Sequence, residues 1–271
     1  MKKKIFIFFF FFKFLFLSIN PSYSFISLNC SDTISAAITI QQTCQNNDTL
    51  IITNVGSVIL TGSDAVDADS KSGVTIDNKG TISASTNQAI NMQHAVNTTV
   101  TNSGTIEATL RNAILMDGDN ADNITINNSG TLKAGKKQVI LATNSENTTI
   151  INSGTIETTN SSNPNTGGIN YYNTSGSAIN GATVTNSGTI FAYGTGIRFG
   201  TQGIASKAVN NMTITNSGTI EGGTASIAVH NANATGTNII TKDDGTYIGA
   251  ITLNGTETTF TLDCSISKDQ D

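Results

Sequence analysis

The sequence has no tryptophan, two prolines and three cysteines, and only 12% of its 271 residues are charged. So little charge, without leucine-rich or aromatic runs beyond the first 24 residues, excludes both a helical bundle and an acidic disordered chain. Lys and Arg number 14 against 19 acidic residues. We therefore predict no nucleic-acid partner, because such binding needs clustered basic residues. Asn, Thr, Ser, Gly and Ile are abundant instead, and they favour many short strands separated by turns.

The first 24 residues have the pattern of a secretory signal peptide. Three lysines, Lys2–Lys4, precede an apolar run over Ile5–Leu17, and small residues at Ser22 and Ser24 suit a cleavage site. The apolar run is short for a membrane span. An uncleaved interfacial anchor is the alternative interpretation. Cleavage would leave ten basic against 19 acidic residues, a net charge of −9 on the exported body.

The sequence Asn102-Ser103-Gly104-Thr105-Ile106 recurs along most of the chain. Copies or close variants place a glycine at positions 56, 80, 104, 130, 154, 188, 218 and 245, a period of about 24 residues. A repeat of this length indicates a stacked architecture. We number the coils one to eight by these glycines.

Three strand-like pieces recur in each coil, as in Val100-Thr101, Thr105–Ala108 and Ala113-Ile114 of coil three. They predict an all-β fold, a right-handed parallel β-helix of about eight coils with three short strands per coil. We assign residues 1–24 to the signal peptide, 25–49 to an N-terminal cap, 50–262 to the repeats and 263–271 to a C-terminal tail. A helical repeat is the competing fold, but frequent Gly, Asn and Thr oppose it.

Each residue of the motif has a predicted role. Ile106 and its equivalents fill the core as an aliphatic column. Gly104 and its equivalents turn a corner at positive φ. Asn102 and its equivalents form a ladder of amides, as stacked Asn side chains do in cross-β arrays. The residue between the motif Ile and the following Ala faces outward, and Glu107, Lys133 and Glu157 alternate in charge along that row.

The cysteines predict one disulfide. Cys30 and Cys44 lie close together ahead of the repeats, and a bridge between them would close a loop that staples the cap. Cys264 is left without a partner in this reading.

Aromatic residues and an arginine gather where coils five and six are lengthened. Long insertions occupy residues 160–166, 171–175 and 198–203. Exposed aromatics and Arg are typical of contact surfaces. The alternative is that the loops bury these rings in a side pocket. The candidate interaction patch consists of Tyr171, Tyr172, Phe191, Tyr193, Arg198 and Phe199.

Other motifs have structural explanations. Asn-x-Thr at Asn97, Asn123, Asn147 and Asn211 matches a glycosylation acceptor, but a turn former before a strand explains it better. The Asp117–Asp122 stretch lacks the pattern of a calcium loop and is interpreted as a solvated turn, as are Asp64, Asp67 and Asp69. We predict no metal and no cofactor.

The sequence offers no recognisable catalytic constellation. His94 and His230 are isolated, and neither a zinc-ligand spacing nor a nucleophile elbow is present. We therefore predict that the protein is not an enzyme. A secreted carbohydrate-active β-helix enzyme, a lyase or glycosidase, stays open, and acidic and basic side chains converging from adjacent coils would favour it.

A signal peptide followed by Asn-Ser-Gly-Thr-Ile coils resembles the passenger region of autotransporters, the type V secreted proteins of Gram-negative bacteria. The resemblance covers about residues 50–260 and implies an exported, surface-displayed adhesin with an unknown host or environmental ligand, glycan or protein. It also implies an outer-membrane translocator, for which no set of ~10-residue alternating strands follows the repeats. We therefore expect a truncated or split gene. The expected location is secreted, cell-surface or outer-membrane, or periplasmic without a translocator.

Overall fold

The computed structural model describes residues 30–118, 121–160, 166–174, 179–200, 209–230, 235–242, 244–255 and 257–263. These residues form β-strands and turns, without a helix. In this part of the chain, accordingly, no helix has the length and apolar character that crossing a membrane requires. The predicted signal peptide, residues 25–29 of the cap and Cys264 lie outside the described residues.

The described residues form 28 strands. The first half contains β1 (Thr33–Ile34), β2 (Ala37–Ile38), β3 (Gln42–Thr43), β4 (Thr49–Ile52), β5 (Ser57–Leu60), β6 (Val66–Asp67), β7 (Thr75–Asn78), β8 (Thr81–Ala84), β9 (Ile90–Asn91), β10 (Thr99–Asn102), β11 (Thr105–Ala108), β12 (Ile114–Asp117), β13 (Thr125–Asn128) and β14 (Thr131–Ala134). The second half contains β15 (Ile140–Thr143), β16 (Thr149–Asn152), β17 (Thr155–Thr158), β18 (Gly167–Tyr172), β19 (Ile179–Asn180), β20 (Thr183–Asn186), β21 (Thr189–Ala192), β22 (Thr195–Phe199), β23 (Val209–Asn210), β24 (Thr213–Asn216), β25 (Thr219–Val229), β26 (Asn238–Lys242), β27 (Thr246–Leu253) and β28 (Thr259–Asp263).

Most of the strands stack in three parallel ladders, and β19 pairs with β23 in a separate two-stranded sheet. The first ladder is a ten-stranded sheet, β1-β4-β7-β10-β13-β16-β20-β24-β26-β28. The second ladder, β2-β5-β8-β11-β14-β17-β21-β25, and the third, β22-β18-β15-β12-β9-β6-β3, form one sheet because β25 belongs to both. The prediction of an all-β parallel solenoid is confirmed. It has about seven turns, roughly consistent with the predicted eight.

Aliphatic columns fill the interior. In-register parallel pairing places each residue beside its equivalent in the next coil, so one inward position repeats along the whole stack. Each buried aliphatic side chain contributes about 1.5–3 kcal/mol relative to leaving it exposed. The motif column is fully buried and consists of Ile82, Ile106, Leu132, Ile156, Ile190 and Ile220.

The predicted ladder of asparagines runs through the buried corner between the first and second ladders. Asn78, Asn102, Asn128, Asn152 and Asn186 each donate from Nδ2 to the Oδ1 of the next asparagine at 2.7–2.8 Å, and the row ends at Asn216. Each of these donors also contacts a carbonyl oxygen two residues along its own chain. A buried row of amides is stable only because every link satisfies its neighbour.

The prediction that the motif glycines have positive φ is wrong. Gly104 and Gly130 are absent from the residues with positive φ. Their requirement is steric, because a Cβ on Gly130 would lie 2.1 Å from the carbonyl oxygen of Gly104 in the coil before it. The backbones stack too closely at this corner for any side chain.

Positive φ occurs instead at another corner, just before the first ladder. Asn97, Asn123, Asn147 and Asn211 have φ between 51° and 56°. Glycines with positive φ stand just before the first ladder in other coils, as at Gly73. Asn is the non-glycine residue that tolerates this conformation best, which accounts for its recurrence as a turn former.

Cys30 and Cys44 form a disulfide in the structure, and both are fully buried. The bridge lies at the N-terminal end of the stack, where the two-residue strands β1, β2 and β3 pair with the following coil. Closing a loop of this size contributes about 3 kcal/mol in the chain-entropy account.

Candidate interaction surface

The structure divides the candidate interaction patch among three places. Tyr171 and Phe199 lie inside the solenoid, Tyr172 and Arg198 lie on the outer side of the third ladder, and Phe191 and Tyr193 lie on the second ladder or just after it. No hydrogen bond or ring contact joins the two outward pairs among the described residues. The expectation that Tyr171 and Phe199 belong to an exposed patch is therefore wrong, and the role of the other four residues stays a prediction.

Tyr171 and Phe199 are core residues, with no exposed surface. Side chains of a strand alternate, so each ring lies on the inward side with the isoleucine two residues before it, Ile169 or Ile197. The two ring centroids are 5.4 Å apart. The Tyr171 hydroxyl has a hydrogen-bond partner in Thr148 at 2.8 Å, and burial raises the pKa of Tyr171. The two-residue alternation of a strand, applied from each inward isoleucine, would have predicted that Tyr171 and Phe199 face the core.

Arg198 is held against the outer side of the third ladder by two hydrogen bonds. Its Nη1 donates to the Tyr172 hydroxyl at 3.2 Å, and its Nη2 donates to the Thr195 hydroxyl at 3.0 Å. Asn170, the register partner of Arg198, donates from Nδ2 to the same Tyr172 hydroxyl at 3.1 Å. We call Asn170, Tyr172, Thr195 and Arg198 the Arg198 cluster. Sequence reasoning missed Asn170 and Thr195, which carry no signal of their own.

Two buried polar atoms of the Arg198 cluster, the Nε of Arg198 and the Oδ1 of Asn170, have no hydrogen-bond partner in the described part of the chain. Within the described residues, no carboxylate makes an ion pair with Arg198. Burial lowers the pKa of His230, and the charge of Arg198 lowers it further, so His230 adds no positive charge at neutral pH. The cluster thus presents a single unneutralised cation.

Phe191 and Tyr193 form an edge-to-face pair with ring centroids 4.9 Å apart. Phe191 is half-buried and Tyr193 is 36% exposed. The register places Phe191 between Glu157 and Glu221 on the neighbouring coils. The Tyr193 amide donates to the Thr158 hydroxyl at 3.0 Å, which fixes the backbone below the ring. This Phe191–Tyr193 pair interrupts a row that is otherwise mostly polar.

A charged row precedes the Phe191–Tyr193 pair on the same face. Ser83 donates to Glu107 at 3.1 Å, and Lys133 lies 2.8 Å from Glu157. The hydrogen bond to Glu157 raises the pKa of Lys133, and the charge of Glu107 adds to the effect. Lys133 therefore stays protonated at neutral pH and cannot act as a base.

A second acidic group lies beside the third ladder. Burial raises the pKa of Asp64, with nearby Asp67 and Asp69 reinforcing the rise. Asp69 lies 3.3 Å from the Nδ1 of His94. No group of three or more His, Cys, Asp or Glu that could hold a metal ion occurs in the described part of the chain. Of the Asp117–Asp122 stretch, residues 119 and 120 lie outside that part.

Comparison of the chain with protein-family models, with curated proteins and with solved structures finds no match. The functional argument therefore rests on the fold and on the surface chemistry of coils five and six. A fold alone does not define an activity.

Proposed function

We propose that the protein is an exported β-solenoid passenger of a Gram-negative bacterium that binds a surface ligand, glycan or protein, without catalysis. In this proposal the solenoid is right-handed, with eight coils of three strands and an N-terminal cap over residues 25–49. The signal-like residues 1–24 and the repeated Asn-Ser-Gly-Thr-Ile motif support it. The expected location is the cell surface, the outer membrane or the medium.

The observation that carries the proposal is the change of surface chemistry in coils five and six. The outward row of Ser83, Glu107 and Lys133 continues in register to Phe191, which contacts Tyr193. Arg198 occupies the position that Leu115 and Leu141 hold in earlier coils. Tyr and Arg are enriched at binding hot spots because they combine a large contact area with hydrogen bonding. Regular coils then serve as the scaffold, and the disturbed coils carry the contact.

The test uses the full chain on an array of glycans and extracellular-matrix proteins. We expect Tyr193→Ser to weaken the strongest interaction about tenfold or more, as hot-spot truncations do. Ile151→Ser is the matched control, because Ile151 is also a large exposed apolar residue, 44% exposed on the first ladder. Absence of any saturable binding by the wild-type chain would overturn the proposal.

A secreted carbohydrate-active enzyme is the second candidate function. The observation in its favour is the row of Glu107, Lys133 and Glu157, three charged side chains from adjacent coils. We expect no release of reducing ends or unsaturated products from a panel of acidic and neutral polysaccharides. Release that is abolished by Glu157→Gln would establish the enzyme and contradict the binding proposal.

A further inference from the structure

We propose that the Arg198 cluster is a binding site for the carboxylate of an acidic saccharide, such as a hexuronate. This inference rests on the proposed function and names the ligand class of one of its surfaces. The Arg198 cluster would then recognise the charge of the ligand, and the Phe191–Tyr193 pair would make apolar contacts at a separate surface.

The guanidinium group of Arg198 is pre-oriented for a ligand. An arginine carries five N–H donors in a planar fork. Two of them are used on Tyr172 and Thr195, which fixes the plane of the group. Among the described residues, the Nε and one N–H on each terminal nitrogen have no hydrogen-bond partner. Because the side chain is already held, little conformational entropy would be lost on binding.

The charge balance favours a monoanion. A half-buried guanidinium without a counter-charge is unfavourable, and a carboxylate that entered would satisfy both its charge and its free N–H groups. His230 stays neutral at physiological pH, so the site offers one positive charge rather than two. A carboxylate with a single charge is neutralised by this one cation, whereas a dianionic phosphate would keep an unpaired charge.

The neighbouring groups suit a ligand that carries hydroxyls. The Tyr172 hydroxyl already accepts hydrogen bonds from Arg198 and Asn170, so its own proton is left to donate. The Oδ1 of Asn170 lacks a donor, and an unsatisfied buried acceptor costs about 1–3 kcal/mol. A sugar hydroxyl can accept from Tyr172 and donate to Asn170, whereas a simple acidic side chain offers only acceptors.

Gly167 makes room for this arrangement. A Cβ at Gly167 would lie 2.4 Å from the Oδ1 of Asn170. Thr195, whose hydroxyl accepts from Arg198, is the register partner of Gly167 on the next coil. The cluster therefore needs residues of two adjacent coils. For this reason the sequence of either coil alone does not predict it.

Isothermal titration of the full chain with methyl β-glucuronide tests the inference. The comparison ligands are methyl β-glucoside, acetate and tetraglutamate. We expect only the glucuronide to bind, and Arg198→Gln to weaken it about tenfold or more, since hydrogen bonds to charged groups are strong. Arg111→Gln is the matched control, because Arg111 is an exposed arginine of coil three. Tyr172→Phe is a smaller change and should weaken glucuronide binding several-fold. It replaces Arg198→Gln as the test if that variant fails to fold.

Several results would overturn the inference. Equal affinity for glucuronide and glucoside would remove the charge recognition, equal affinity for acetate would remove the saccharide, and preference for tetraglutamate would assign the site to acidic peptides. The array experiment separates this failure from that of the proposed function. Saturable array binding by a chain that shows no titration with glucuronide would refute the Arg198 site and leave the proposed function standing.

Discussion

Removal of one asparagine from the middle of the buried ladder should destabilise the solenoid strongly. Asn128 accepts a hydrogen bond from Asn102 at 2.7 Å and donates to Asn152 at 2.7 Å. Its Nδ2 also lies 3.3 Å from the carbonyl oxygen of Gly130 and 3.2 Å from that of Thr155. All of these links disappear in Asn128→Ala.

The expected cost is about 3 kcal/mol or more. The Oδ1 of Asn152 would keep no donor, a loss of about 1–3 kcal/mol for a buried polar atom. The links to Asn102 and to the two carbonyls add roughly 0.5–1 kcal/mol each, before any cavity term. Asn128→Asp should be worse at neutral pH, because a carboxylate cannot donate to three oxygens that it faces. Lowering the pH should reduce the destabilisation of Asn128→Asp, because the protonated carboxyl group can donate one hydrogen bond.

Urea unfolding followed by circular dichroism measures the effect. Asn127→Ala is the matched control, because Asn127 is the adjacent asparagine of β13 and faces outward, with no side-chain hydrogen bond to any described residue. Its midpoint should stay close to that of the wild type. Equal midpoints for the two alanine variants would refute the buried amide ladder as a source of stability.

Four further changes test other parts of the fold. Gly130→Ala should prevent correct stacking, because its Cβ would meet a carbonyl oxygen at 2.1 Å, whereas Gly62→Ala, with open space around its Cβ, should leave the thermal midpoint unchanged. Asp64→Asn should raise the unfolding midpoint slightly at pH 7, because burial raises the folded-state pKa and ionisation then costs stability. That gain should vanish as the pH falls through the folded pKa and below the unfolded value of about 3.9, and a gain that persists there would contradict the reasoning. Asn123→Gly should be nearly neutral and Asn123→Ala destabilising by roughly 1 kcal/mol in urea unfolding, since the position has φ of 56°. Cys30→Ser should cost about 3 kcal/mol and lower hydrogen-exchange protection at the N-terminal coils first; uniform loss along the stack would speak against a local staple.

The repeat could be predicted from the sequence because in-register parallel stacking copies each position into the next coil. Ile106 and Asn102 recur at a fixed spacing, so their column and ladder follow from the period alone. The role of Gly104 could not be inferred in this way. A positive φ and a close approach of two backbones both require glycine, and only the three-dimensional backbone shows which of the two applies.

The candidate surface was harder to predict because it depends on which side chains of a strand face outward and on contacts between coils. Tyr171 and Phe199 were predicted to be contact residues because they are aromatic and lie near insertions. Their spacing from the inward isoleucines places them in the core instead. Arg198 and Tyr172 are 26 residues apart, and their hydrogen bond exists only because coils five and six stack in one register. Insertions change the local period there, so sequence spacing alone could not bring them together.

The most direct measurement compares binding by surface variants of disturbed and regular coils in the full chain on one array. Tyr193→Ser and Arg198→Gln alter coil six, whereas Glu107→Gln and Lys133→Gln alter the regular coils three and four. Our account predicts that each of the first two variants loses binding to at least one array ligand and that the last two retain all binding. Loss confined to Glu107→Gln and Lys133→Gln would place the contact on the regular scaffold and contradict the account.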